Sequence, residues 1–402
     1  MVRLHVVLLF SVILVSQSWS IQVNVGEAPE TDRELTLRAI RSARTNLLLN
    51  IYELTSDDIA DALIDRIDAG VHVEILEEGQ PTAGMSAAGK RVMNRVVAAM
   101  NERDRGDHFY LMTSKAGGKR RFRFDHGKYA VIDGKSLLIG SENYSPTGQP
   151  APGVLGNRGW EAWIHDRDSA SAYAAVFHKD AVLDFNDVQE LVTGKDLAAS
   201  FNHFLNMAAQ LALAADVEGK PEVMNSIEAD RVKMITSPNT SLEGLLDVIN
   251  TARTNLEIEQ MTFAIKWGTS TYESPLVDAV IKAARRGVSV RVLLNDDKVF
   301  SSNGKNVLTV DRLNKAAEKE DLDLEARTAD VKAMKVSYIH NKGALADSDQ
   351  TLVSSINWNE NSVQHNREAA VLIHSDAVHQ HFVDLFNHDW EVSDPDRTAT
   401  SP

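Results

Sequence analysis

Apolar and polar positions along this 402-residue chain change period in a regular way. Residues 32 to 47 have helical character, with Leu35, Leu37, Ile40 and Ala43 supplying most of the apolar positions. Asn46-Leu47-Leu48-Leu49-Asn50-Ile51-Tyr52 then reads as a buried strand, Ile59 to Ala69 as an amphipathic helix stopped at Gly70, and Val71 to Leu76 as the next strand. Strand, helix and strand in that order predict a right-handed crossover and a mixed, mostly parallel sheet flanked by helices.

The same order returns in the second half. Ala252-Arg253-Thr254-Asn255-Leu256 repeats Ala43-Arg44-Thr45-Asn46-Leu47 letter for letter, and Gly287 to Leu293 answers Gly70 to Leu76. Correspondence at near-equal separations indicates a duplicated domain, two α/β/α lobes related by a pseudo-two-fold axis. Between the copies Asp196 to Ala215 reads as helix, and the polar stretch around Gly219-Lys220-Pro221 as a linker. The expected division is residues 21–200 for the first lobe, 201–231 for the linker and 232–395 for the second lobe.

Ahead of the first lobe, a short basic leader and an apolar run from Val6 to Val15 precede Ser18-Trp19-Ser20. That run is short for a bilayer span, so residues 1–20 read as a signal peptide, which places the mature protein outside the cell or in a periplasm. The chain has no cysteine, which excludes disulfides, thiolate metal sites and cysteine nucleophiles. A net charge of −15 favours solubility and discourages indiscriminate binding to polyanions. A monomer is expected.

The chemistry concentrates in one motif that occurs twice. Phe124-Asp125-His126-Gly127-Lys128 leads to Asp133, and Tyr338-Ile339-His340-Asn341-Lys342 leads to Asp347. On a strand, residues two apart share a face, so each imidazole should lie beside its lysine. Asp133-Gly134 predicts a hairpin turn, with a weaker signal at Asp347-Ser348-Asp349; folding there returns Glu142 and Asn143 to His126, and Asn357 to His340. Two patches of His, Lys and Asn suit a phosphate oxyanion. Basic residues from Lys115 to Arg123, and Lys332 and Lys335, precede the motifs and could steer an anionic substrate.

This duplicated His-x-Lys-x4-Asp pattern resembles the signature of the phospholipase D superfamily across most of residues 32 to 390, most closely at Ser354-Ser355-Ile356-Asn357-Trp358. The resemblance implies that two lobes meet at one cleft and act without metal or other cofactor. It implies His126 as nucleophile, His340 as acid and base, and Lys128, Lys342, Asn143 and Asn357 as ligands of the non-bridging oxygens. Within Asn157-Arg158-Gly159-Trp160-Glu161 and Asn366-Arg367-Glu368 it implies Glu161 and Glu368 as carboxylates orienting the imidazoles. Asp133 and Asp347 are expected to be structural. The leading expectation is a secreted phosphodiesterase acting on phospholipid headgroups through a phosphohistidine, by hydrolysis or transfer. A nuclease, a cardiolipin-synthase-like phosphatidyltransferase and an inactive phosphate-binding scaffold are the alternatives. The remaining histidines, among them His72, His108, His374, His379 and His381, are expected to be structural, because no partner recurs for them in the other half.

Overall fold

The computed structural model describes residues 20–114, 119–192, 226–268, 273–300 and 305–397. The expected signal peptide, the helix from Asp196 to Ala215 and most of the linker lie outside the described residues.

Each lobe is a twisted mixed sheet with helices on its outer face. In the first, β1 (Ile21–Ala28) leads through α1 (Asp32–Ser42), β2 (Asn46–Ile51), α2 (Asp57–Asp68), β3 (His72–Glu78) and α3 (Ala87–Arg103) to β4 (His108–Met112). A hairpin of β5 (Tyr129–Ile132) and β6 (Ser136–Gly140) follows, then β7 (Gly159–His165), α4 (Arg167–Asp180) and β8 (Val188–Glu190). Strand β9 (Ile227–Ala229) pairs with β1, so the end of the expected linker belongs to the first sheet, whose order is β8-β4-β3-β2-β5-β6-β7-β1-β9.

The second lobe runs β10 (Arg231–Ser237), α5 (Ser241–Thr251), β11 (Asn255–Gln260), α6 (Pro275–Arg285), β12 (Ser289–Leu294), α7 (Asn306–Glu320) and β13 (Leu324–Thr328). It closes with the hairpin β14 (Lys342–Ala346) and β15 (Gln350–Ser354), then α8 (Glu360–Gln364), β16 (Glu368–His374) and α9 (Asp376–Val392). Its sheet order is β10-β16-β15-β14-β11-β12-β13.

The expectation of mostly parallel sheets needs correction. Parallel pairing is confined to β2–β3–β4 and β11–β12–β13, where helices supply the crossovers. The hairpins and both long return strands pair antiparallel. In the two hairpins the three-residue turns leave no room for a crossover and enforce that direction.

The hairpin turn explains the letter-for-letter repeat. Asp133 and Gly134 take positive φ of 53° and 60°, and Asp347 takes 56°, conformations that Asp and Gly tolerate in tight turns. The Asp133 carboxylate then accepts from the backbone N–H of Arg44 and Asn46 (3.0 and 3.1 Å) and from the N–H and hydroxyl of Thr45 (2.8 and 2.9 Å). Asp347 does the same with the N–H of Arg253 and Thr254 and the Thr254 hydroxyl. Partial burial pushes its carboxyl up, but those donors outweigh it and hold it below its usual value. Each motif aspartate therefore pins its hairpin to the start of a parallel strand, β2 or β11, and neither is bonded to an imidazole.

Two outer cores lie between sheets and helices, one built from α1, α2 and α3, the other from α5, α6 and α7. A third, central core draws on both lobes. There α4 and α9, begun by Asp166 and Ser375 caps on the N–H of Ser169 and Val378, cross to the opposite sheet. Trp160 of β7 stacks on Phe382 of α9 with centroids 4.6 Å apart. The Tyr173 hydroxyl of α4 accepts from Ala370 N and donates to Ala370 O in β16.

Two buried ion pairs complete this exchange. Arg158 Nε donates to Asp389 Oδ2 on α9 at 2.7 Å, and Arg367 Nη2 donates to Asp180 Oδ1 on α4 at 2.9 Å. Each guanidinium also caps carbonyls of its own lobe, Ala28 or Ser237. A guanidinium that donates to a carboxylate and to carbonyls at once suits such a desolvated position.

Candidate active site

The motifs meet where the lobes exchange backbone hydrogen bonds. His126 N donates to Arg367 O (2.7 Å) and Arg367 N to Phe124 O (2.8 Å). In the mirror arrangement His340 N donates to Arg158 O and Arg158 N to Tyr338 O, each at 2.9 Å. Strands β5 and β14 begin only at Tyr129 and Lys342, so the stretch carrying each imidazole is an extended segment that pairs with the other lobe. Strand ends fix it from behind. Glu78, at the end of β3, accepts from Asp125 N at 2.7 Å, and Asn295, after β12, accepts from Ile339 N at 2.9 Å.

Each imidazole faces a carboxylate of the opposite lobe. His126 Nδ1 lies 2.8 Å from Glu368 Oε2, which also accepts from the Ser355 hydroxyl (2.6 Å), while Asn366 donates to Oε1 (2.9 Å). His340 Nδ1 stands 3.2 Å from Glu142 Oε2, which Asn157 holds at 2.9 Å. At His126 the carboxylate at Nδ1 orients the ring and leaves Nε2 for the reacting atom, whereas His340 Nδ1 is close to Glu142 but outside hydrogen-bond geometry with it.

Glu161, expected to be the first-lobe counterpart of Glu368, does not fill that role. Its carboxylate accepts from the Thr36 hydroxyl of α1 at 2.9 Å, and burial pushes it up to about 8. The strand registers show why. Glu161 pairs with Gly140 as Ala370 pairs with Ser354, so Glu161 corresponds to Ala370, and Glu368 corresponds to Gly159. A Cβ on Gly159 would stand 2.3 Å from Glu142 Oε1. Glu142 thus fills, from the neighbouring strand, the space that a side chain at 159 would need, while Ile356 takes the place of Glu142 in the second lobe. Anchoring the two phrases on Asn-Arg instead of on the carboxylate would have exposed this exchange.

The exchange can be tested by reversing it. Glu142→Gln should lower kcat by about a hundredfold or more, since replacing the carboxylate beside a catalytic imidazole by its amide costs up to about ten-thousandfold. The double variant Glu142→Ile with Gly159→Glu copies the second lobe and should restore most of the rate. A double variant as impaired as Glu142→Gln would refute the exchange.

Both lysines are buried. Lys128 Nζ donates to His126 O at 2.7 Å, and Lys342 Nζ donates to His340 O. Burial pushes Lys128 down to about 8 against the pull of Glu368 and Asp125, and pushes Lys342 down more strongly. The same desolvation takes His126 to about 4, with Lys128 adding to it and Glu368 opposing. His340 lies well below its usual value, through burial and then through Lys342, Lys128 and His126. The four groups feel one another's charge, so the two patches form a single site. The Oδ1 atoms of Asn143 and Asn357 are buried without a hydrogen-bond partner among the described residues.

A cleft of about 510 Å³ opens onto His126 and runs between the lobes past Tyr52, Arg123, Lys266, Asn357 and Glu360. Tyr52 sits edge-on to the His126 ring at 4.6 Å, and Tyr338 edge-on to His340 at 5.8 Å. The basic stretch before His126 is largely engaged elsewhere. Arg120 pairs with buried Glu78 and Arg121 with buried Asp187, so among the described basic residues of this stretch only Arg123 lines the cleft, bonded to Asn361 at 2.8 Å. Tyr52, Thr262, Lys266 and Glu360 are contributions that the sequence reading missed; no repeat marks them. Among the described residues no group of three or more His, Asp or Glu is placed to hold a metal ion.

The family model described as "Cardiolipin synthase, PLD-like domain" matches residues 36–181 and again residues 245–390. Mouse mitochondrial cardiolipin hydrolase is 27% identical over 166 residues, which cover 40% of this chain and 64% of that protein. The chain therefore spans less than two thirds of that relative's length. The crystal structure of phosphatidylserine synthase from Haemophilus influenzae superposes with a TM-score of 0.64 at 14% identity, covering 93% of this chain and 88% of that one. Polyphosphate kinase from Porphyromonas gingivalis gives a TM-score of 0.51 at 11% identity over 91% of this chain and 46% of that one. These two likenesses speak for the fold.

Proposed function

The chain belongs to the phospholipase D-like family of the cardiolipin synthase type, and on that premise we propose that it is a phosphodiesterase cleaving phospholipid headgroup esters. One observation carries the reading: two imidazoles and two buried lysines from separate lobes converge, each ring backed by a carboxylate of the other lobe. His126 lines the open cleft, so its Nε2 attacks phosphorus and displaces the alcohol. His340, deeper and facing the same charges, gives its proton to the departing oxygen, then removes one from the water that cleaves the phosphohistidine. The phosphodiester brings the negative charge that raises His340 toward its protonated form. Lys128 and Lys342 neutralise charge on the non-bridging oxygens, a task a metal ion performs in other phosphodiesterases. A phospholipid substrate is supported by the name of the mouse relative.

An extracytoplasmic site of action is part of the proposal. The composition of residues 1–20, a short basic leader followed by an apolar run and small residues, supports it.

Purified protein, given cardiolipin, phosphatidylglycerol, phosphatidylcholine, single-stranded DNA and duplex DNA in EDTA, should cleave lipid at an undiminished rate and leave DNA intact. DNA cleavage without lipid turnover would move the reading to a nuclease, and loss of activity on chelation would exclude the lysine-based scheme.

A further inference from the structure

At residue 53 the two halves of the site part company. The carbonyl of Glu53 accepts from Tyr144 N at 3.0 Å, and in the second lobe the carbonyl of Thr262 accepts from Trp358 N at 2.9 Å. Leu54 bridges to Tyr144 as Phe263 bridges to Trp358. Asn143 directly precedes Tyr144, and Asn357 directly precedes Trp358. The duplication therefore sets Glu53 against Thr262, a carboxylate beside the asparagine of the His126 motif and a hydroxyl beside that of the His340 motif.

Glu53 Oε2 accepts from Asn143 Nδ2 at 3.5 Å, and among the described residues no lysine or arginine is ion-paired with it. The preceding residue, Tyr52, lies edge-on to the His126 ring and has the Lys128 ammonium 5.1 Å from its own centroid, so this short segment flanks the attacking histidine. Glu53 is half-buried; burial pushes its carboxyl up and the Lys128 charge draws it down. In the other lobe the Tyr338 phenol is pushed up by burial, then by Glu142 and Glu53. The Glu53 charge thus reaches both sides of the cleft. Glu368, Glu142 and Asp125 are committed: Glu368 to His126, Glu142 to Asn157 beside His340, and Asp125 to Asn50 at 2.6 Å. Glu53 serves neither imidazole.

A carboxylate beside an anion site weakens binding, and the effect grows with the charge of the anion. A phosphodiester carries one negative charge, whereas a phosphomonoester carries about 1.5 to 2 at pH 7, because its second pKa is about 6. Hydrolysis turns the first into the second. The oxygen of water replaces the His126 nitrogen on phosphorus, His340 takes the proton, and a phosphomonoester is left beside His126. We propose that Glu53 repels the second charge of that product, so that the site holds singly charged phosphodiesters and expels phosphomonoesters. The proposal deepens the hydrolase reading and rests on it for its purpose, but binding alone tests it.

Calorimetric titration at pH 8 compares inorganic phosphate, mostly dianionic there, with dimethyl phosphate, a singly charged diester. Because the repulsion scales with charge, Glu53→Gln should bind phosphate about tenfold more tightly than wild type and dimethyl phosphate about threefold more tightly. Glu53→Thr, which copies the second lobe, should do the same. Phosphate binding that is unchanged or weaker in both variants would overturn the proposal, since Glu53 would then only support the Asn143 amide. So would gains of equal size for the two anions, or no binding of either anion by wild type and variants. Tighter phosphate binding in variants of a protein that cleaves no diester would uphold the role of Glu53 and refute the hydrolase reading.

Discussion

His126→Ala and His340→Ala are each expected to lower kcat on phospholipid by about ten-thousandfold or more, as loss of a nucleophile or its proton-transfer partner does elsewhere. A substrate with a p-nitrophenol leaving group separates the two roles. That group departs without protonation, so His340→Ala should form the phosphohistidine at His126 and then stall, because no base activates water. His126→Ala should form no adduct. A stable adduct on His340 in the His126→Ala protein would reverse the assignment.

The pH profile carries the same assignment. Attack needs neutral His126, and burial together with Lys128 holds that ring down to about 4. The acid limb of kcat/KM should therefore fall near pH 4, well below the limb near 6.5 of an ordinary histidine. At the other end, charge on Lys128 is lost as pH rises through about 8, and kcat/KM should decline there. An acid limb that stays near 6.5 would mean that the attacking imidazole is far more hydrated than the site described here.

The second large effect concerns the lobes themselves. Arg367→Ala leaves Asp180 buried without its partner, and Arg158→Ala leaves Asp389 with only the exposed His388 ring at 3.0 Å. Each should cost about 3–5 kcal/mol of stability in urea unfolding, the range for breaking a buried ion pair. Arg367→Met with Asp180→Leu removes both charges and should recover most of that loss. Single variants that lose less than about 1 kcal/mol would show that the lobes are held by the central apolar core alone. Because the bond from His126 N goes to the backbone carbonyl of residue 367, which Arg367→Met keeps, the rescued double variant should retain activity.

The duplication, the hairpins and the motif residues were legible in the sequence because they are local. A turn at Asp133-Gly134 follows from two residues that accept positive φ, and a repeated Arg-Thr-Asn phrase survives where it serves the motif aspartate in both halves. The direction of most strand pairings was misjudged, since strand-helix-strand periodicity is strong in the chain while the returning strands β7 and β16 carry no signal of their partner.

By itself the sequence determined which residue types were available and that each copy of the motif bore one histidine, one lysine and one returning asparagine. Only the tertiary structure decided which carboxylate serves which imidazole. That choice crosses the lobe boundary, pairing His126 with Glu368 and His340 with Glu142, and a space left by Gly159 admits Glu142 and leaves Glu161 to Thr36. Spacing along a chain reports neighbours on one strand, whereas charges buried between two sheets interact through space and answer to whatever the fold brings against them.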